Sequence, residues 1–204
     1  MPQTSSRRPR LAWFLAASVV VLAAVRYSPW RITYNPTPSE PRGLYLAHTT
    51  GPISARRLHY GELVQFHYIC PETPVTFKQG PLAGATALAC LDAGVAPYAD
   101  GSFFVKKVEG KPGDTVIGRA GCVSIRRRDG RTVSAGCVLR RAPDGKPVPF
   151  HARWGAHGTR IPRGMWYAGS TRVPQSYDSR YFGLVSTKQI VGTIRPLWLL
   201  GKKH

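Results

Sequence analysis

The hydrophobic pattern divides the chain into one long apolar run followed by many short ones. Residues Leu11 to Val25, LAWFLAASVVVLAAV, carry no charge and only one hydroxyl. A run without polar positions predicts a helix that seeks an apolar medium on every side. Arg7, Arg8 and Arg10 precede it, Arg26 closes it, and Tyr27 and Trp30 follow as aromatic residues suited to a membrane interface. The uncharged stretch is at the short end for a span, which usually takes about 20 residues. Residues 9–30 are therefore predicted as one transmembrane anchor, with 1–8 a basic tail on the cytoplasmic side and 31–204 an exported domain. A cleavable signal peptide shares this order of basic, apolar and small residues. Val25-Arg26-Tyr27 offers no small-x-small site at the end of the run, although Ala23 and Ala24 lie close by. Both readings export the domain.

Beyond the anchor the apolar positions come in short alternating groups, the period of half-buried strands. GELVQFHY, SFFVKKVEG, TVIG, CVSIRRR, TVSAGCVLRR, GMWYAGS and QIVGTIRPLWLL each read as a strand, with RDGR as a turn between two of them. In RITYNPTPSEPRGLYL, Pro36, Pro38 and Pro41 exclude a helix, so a polar loop containing Ser39 is presented between two extended pieces. Cys70 to Asp100 reads as an irregular excursion, and Ala142 to Pro162 as a turn-rich stretch. The expected domain is mainly β, built of short antiparallel strands. With 21 Gly and 18 Pro spread along 204 residues, composition supports many turns and gives no sign of internal repeats.

The formal charge of +19 raises the question of nucleic acid, but the basic clusters are short and scattered. Arg126 to Arg128, Arg140 with Arg141, and Lys202 with Lys203 come with no nucleic-acid-binding motif. An anionic lipid surface is the partner that suits an anchored basic protein. The four cysteines fit an oxidising compartment. Cys70 with Cys90 and Cys122 with Cys137 are favoured by proximity in sequence; three connectivities are open, as are free thiols. No zinc spacing, HExxH or GxSxG elbow occurs, and none of His48, His59, His67, His151 and His157 lies in a recognisable triad context. No metal or cofactor is expected.

Three blocks carry candidate chemistry: NPTPSEPRGLY (35–45), FFVKKVEGKPGD (103–114) and SYDSRYFGLVSTKQIVGTI (176–194). A serine hydroxyl attacks only when a base takes its proton, and a lysine serves as base only when burial lowers its pKa toward neutrality. Strand alternation turns Lys106 and Lys107 to opposite faces, so one can be buried among Phe104 and Val108 while the other stays solvated.

In this order, behind an export anchor, the blocks resemble the signal peptidase I superfamily, and the TraF-like conjugative-transfer branch in particular. The resemblance covers nearly the whole exported chain and implies a signal-peptidase-like β domain with a Ser/Lys dyad. Ser39 stands where the family has its nucleophile, and Lys106, counted back from the Gly-Lys-Pro-Gly-Asp turn, where it has its base. The resemblance further implies an oxyanion hole from the Ser39 N–H and the Thr37 hydroxyl, and a Ser176 that orients the lysine. Asp178, Ser179 and Arg180 would be structural neighbours of the site; a plain surface ion pair is the other reading of Asp178 and Arg180. Two departures stand out. Glu40 follows the serine where the family usually has methionine, and AGSTRVPQ replaces the family's Gly-Asp-Asn-Arg-Asp-Asn stretch. The expected protein is a single-pass endopeptidase of a bacterial inner membrane, with its domain in the periplasm. It would cleave an exported precursor, a conjugative pilin, after small residues, with hydrolysis or transfer to the substrate's own amino end both open. The alternative is a non-catalytic assembly protein of the transfer apparatus that keeps the peptidase fold.

Overall fold

A computed structural model describes residues 8–49, 58–68, 74–76, 86–88, 103–141, 145, 148, 152 and 154–200. Helix α1 spans Arg8–Tyr27. It ends before Ser28-Pro29, because proline has no N–H to give and biases the residue before it away from helical angles. The last carbonyls of α1 are met by the Arg31 guanidinium, which donates to Val25 and Arg26 and also to Ser28 and Trp30. Every side chain described in α1, from Trp13 to Tyr27, is exposed. Among the described residues no helix is long and apolar enough to cross a membrane. Arg8, Arg10 and Arg26 lie inside α1 and confine its uncharged stretch to Leu11 to Val25.

The rest is antiparallel β structure. The strands are β1 (Trp30–Asn35), β2 (Gly43–His48), β3 (Leu63–His67), β4 (Pro74–Thr76), β5 (Thr86–Leu88), β6 (Phe103–Gly110), β7 (Thr115–Arg119), β8 (Cys122–Arg126), β9 (Thr132–Cys137), β10 (Thr159–Arg160), β11 (Met165–Gly169), β12 (Val185–Ser186) and β13 (Ile190–Leu199), with a one-turn helix α2 (Ser179–Phe182) before β12. Seven of them form a sheet in the order β1-β2-β13-β3-β6-β11-β12, and four form a second sheet in the order β10-β7-β8-β9. β4 and β5 pair with each other inside the stretch expected to be irregular.

Strand alternation explains where the core lies. Along β6, Phe104, Lys106, Val108 and Gly110 are buried, while Phe103 is exposed and Val105, Lys107 and Glu109 are intermediate. The inward positions join Val64, Phe66, Tyr68, Tyr177, Tyr181 and Phe182 in the principal core. Tyr68 stacks on Phe104, with Phe182 and Tyr177 set edge-on to Tyr68. A second core, around Val116, Ile125, Ile161 and Tyr167, lies under the smaller sheet.

Two local features fix the approach of the strands. Gly43 has φ of +151°, and a Cβ there would run into the Trp198 carbonyl of β13, so only glycine lets β2 and β13 meet at that point. The turn after β6 is clamped by Asp114, fully buried, which accepts from the Lys111 N–H at 2.8 Å, the Arg128 N–H at 3.1 Å and the Tyr60 hydroxyl at 2.8 Å. Cys122 and Cys137 stand opposite each other on β8 and β9 and form a disulfide. Cys70 and Cys90 lie outside the described residues.

Candidate active site

Lys106 sits on the inward face of β6, an interior strand paired with β3 on one side and β11 on the other. Only 5% of it is exposed, with the Phe104 ring 5.8 Å from its amine. Burial pushes its pKa down from 10.5 to about 8, and the negative charges of Asp178 and Glu40 limit the fall. Its amine donates to the Ser176 hydroxyl at 3.1 Å. Lys107 points the other way and keeps 40% of its side chain exposed. Alternation thus separates two adjacent lysines into a buried amine that releases its proton readily and a solvated one.

Ser176 belongs to a segment held by a buried ion pair. Asp178, Ser179 and Arg180 are each no more than 1% exposed. Arg180 meets both oxygens of Asp178 at 2.9 Å and donates to the carbonyls of Ser176 and Cys137. The pair is therefore a fastening inside the protein and not a surface ornament. Asp178 also caps α2 by accepting from the Arg180 N–H, and the Ser179 hydroxyl accepts from the Ala168 N–H of β11 at 2.9 Å. The arginine reaches Cys137 because Gly136 leaves room: a Cβ there would lie 2.8 Å from the guanidinium.

The loop between β1 and β2 carries Ser39. Its shape comes from the Asn35 side chain, which donates to the carbonyls of Thr37, Glu40 and Pro41 and accepts from both the N–H and the hydroxyl of Thr37. The Tyr45 hydroxyl donates to the Pro41 carbonyl, and the Ser170 hydroxyl to the Ser39 carbonyl. Ser170 follows β11 and donates its own N–H to Asp178, so the loop and the ion pair share one anchor point. Ser39 is 7% exposed, and its hydroxyl lies 3.1 Å from that of Thr37. Among the described residues no hydrogen bond joins Ser39 to Lys106. A cleft of about 140 Å³ opens beside the loop, walled by Tyr34, Asn35 and Thr37 on one side and Gln65, Phe103 and Val105 on the other.

Two carboxyl groups flank the lysines; the sequence marks Glu40 only as a departure from the family pattern and gives no sign of Glu109. Glu40, 1% exposed, places its carboxylate 3.6 Å from the Lys107 amine. Burial raises its pKa while Lys107 and Lys106 oppose the rise. Glu109 lies against Gly169; burial, and after it the charge of Asp178, lifts its pKa to about 7. Asn35, Tyr45 and Ser170 were also passed over, though an Asn two residues before a Thr in a proline-rich loop is a recognisable side-chain turn signal. The histidines stand apart: His48 stacks on Trp30 at 4.1 Å, His67 packs on Phe103 at 4.3 Å, and His157 is exposed. His151 lies outside the described residues.

Such a site can take a proton from an alcohol and return it to a leaving amine, using a base that is half neutral near pH 8. Known proteins are similar to this chain over most of its length. Residues 8–199 match the family model described as signal peptidase, peptidase S26. The conjugal transfer protein TraF of Agrobacterium tumefaciens (strain 15955) is 28% identical over 195 residues, covering 94% of this chain and 97% of its own. Its namesake from Agrobacterium fabrum is 30% identical over 164 residues, 80% of each chain. A signal peptidase I from Enterococcus faecalis V583 superposes with a TM-score of 0.35 at 20% identity, over 68% of this chain and 97% of that one.

Proposed function

This chain belongs to the signal peptidase S26 family, and from that membership we propose that it is a membrane-bound serine endopeptidase in which Ser39 attacks and Lys106 is the base. The observation that carries the proposal is the buried amine of Lys106, with its pKa lowered to about 8 and one hydrogen bond to Ser176. An amine in that state accepts a proton near neutral pH, which a solvated lysine does not.

In the reaction the Ser39 hydroxyl turns from Thr37 toward Lys106, gives up its proton to the amine, and adds to the scissile carbonyl carbon. The oxyanion is met by the Ser39 N–H and by the Thr37 hydroxyl, which turns its proton from Asn35 to the oxyanion. Donors of this kind are worth about 2.7–4 kcal/mol each in the transition state. The C–N bond breaks as protonated Lys106 passes its proton to the departing amine, leaving an acyl-serine. Water then gives a proton to Lys106 and attacks the acyl carbon, and as the ester bond breaks Lys106 returns that proton to the Ser39 oxygen, restoring the free hydroxyl and the neutral amine. Ser176 keeps the amine aimed throughout, and Asp178 with Arg180 keeps Ser176 in place.

The cleft beside Ser39 is bounded by the edge strand β1, and an extended precursor segment lies along it as an added strand. In our reading the substrate is an exported precursor with small residues before the cut, a pilin-like subunit of a conjugation apparatus; the TraF relatives support that setting. α1 is the anchor in a bacterial inner membrane, its arginines reaching to the interfaces and the domain facing the periplasm. The exposed apolar surface around α1 and its basic amino flank support this orientation.

Cleavage of a candidate precursor in membranes tests the proposal. Ser39→Ala and Lys106→Ala should each reduce product by about a thousandfold or more, with the protein still present and folded. Processing that survives both changes overturns the dyad and leaves a non-catalytic assembly protein.

A further inference from the structure

Glu40 follows the proposed nucleophile directly and is among the largest fully buried side chains of the protein. Neither of its carboxylate oxygens makes a well-formed hydrogen bond among the described residues, although the Ser170 hydroxyl and the Lys107 amine, the latter at 3.6 Å, both stand close enough to favour its charge. A buried carboxylate in that condition is costly unless something requires it. Lys107 neighbours Lys106 on β6, so the Glu40–Lys107 contact runs from the loop of the alcohol to the strand of the base. The other titratable groups that face it are Lys106 and Glu109 from β6 and Tyr45 from β2.

We propose that Glu40 is a positioning residue that latches the Ser39 loop onto β6 through Lys107. The inference rests on the Ser39/Lys106 reading but concerns a residue that makes no bond to either group. Two effects follow with opposite sense. The latch holds Ser39 close to β6 and so favours attack. The charge stabilises the protonated amine and so moves the onset of activity to higher pH. Lys107 moderates the second effect by neutralising part of the Glu40 charge.

The test uses the full chain in detergent. Glu40→Gln keeps the shape and removes the charge. Its plateau kcat/KM should fall about tenfold through lost alignment, and the acid limb of its pH profile should move down by about one pH unit. Lys107→Met should move the limb the other way, because Glu40 then acts on Lys106 unopposed. Titration of the Lys106 ε-carbon by NMR reads the same shifts without turnover, so the inference can be judged even if Ser39 and Lys106 prove not to be a dyad. A limb and a titration that stay put in both variants overturn it, since a packing role would lower the plateau alone. Loss of turnover in Lys106→Ala, measured alongside, separates failure of the dyad from failure of the latch.

Discussion

Around Arg180 the buried charges are met on several sides: its guanidinium makes five hydrogen bonds, to Asp178, Ser176, Ser170 and Cys137. Around Glu40 the carboxylate has one amine at 3.6 Å and no well-formed hydrogen bond among the described residues. Both regions bear on β6, one through Ser176 against Lys106 and the other through Lys107. The satisfied network has one good geometry and resists displacement, whereas the unsatisfied contact is held by charge alone and can adjust. The difference assigns roles: the 176–182 segment fixes Lys106, and at the Glu40–Lys107 contact the 35–41 loop has room to shift.

The comparison can be broken most severely at its rigid end. Arg180→Met strands the Asp178 carboxylate in the interior and should cost about 3–5 kcal/mol of stability, read by denaturant unfolding. The smaller sheet reaches the same arginine through the Cys137 carbonyl. Replacing Cys122 and Cys137 by serine opens a loop of sequence separation 15 and should cost about 3 kcal/mol, with activity falling further than the remaining stability explains.

Lys106→Met should act in the opposite direction. The amine loses its proton at about pH 8 in the folded protein and near 10.5 in the unfolded chain. Between those values the unfolded chain holds more protons, so stability rises with pH through the window and the penalty is fully present below it. The methionine variant should therefore be about 2 kcal/mol more stable than its parent at pH 7, and inactive; the gain should fade as the pH approaches 10. Thermal melts of both proteins across that range check it. The smallest effect belongs to the adjustable end, where Asn35→Ala removes the organiser of the Ser39 loop and should cost about 1–2 kcal/mol, with a larger loss in kcat than in KM.

The sequence carried the strands well where alternation was clean. SFFVKKVEG, CVSIRRR and TVSAGCVLRR became β6, β8 and β9, and Cys122 and Cys137, favoured as a pair by proximity in sequence, are joined across the β8–β9 hairpin. The predicted anchor of 9–30 became a helix of Arg8–Tyr27 with Trp30 already in β1, because Ser28-Pro29 is a stronger stop than interfacial aromatics are a continuation. Lys106, Ser176 and Arg180 could be singled out because the blocks that carry them resemble the motifs of one family in order. Glu109 could not, and Glu40 stood out only as a departure from the family pattern, with no sign of its burial. Each is an ordinary surface residue by type, and its burial follows from strands far apart in the chain, as when Gly169 of β11 opens the space that Glu109 fills. Asn35 was readable as a turn residue, but its reach to Pro41 depends on how β1 and β2 close.

β6 is flanked by strands on both sides and β1 by β2 alone. In heavy water the amides of β1 should take up deuterium early, by fraying, and those around Lys106 only when the whole sheet opens. Gentle warming would accordingly loosen the alcohol's mounting long before the amine's. Under the proposed Ser39/Lys106 dyad, heat inactivation should then begin as a reversible silence of the serine, at temperatures where most of the domain is still frozen in place.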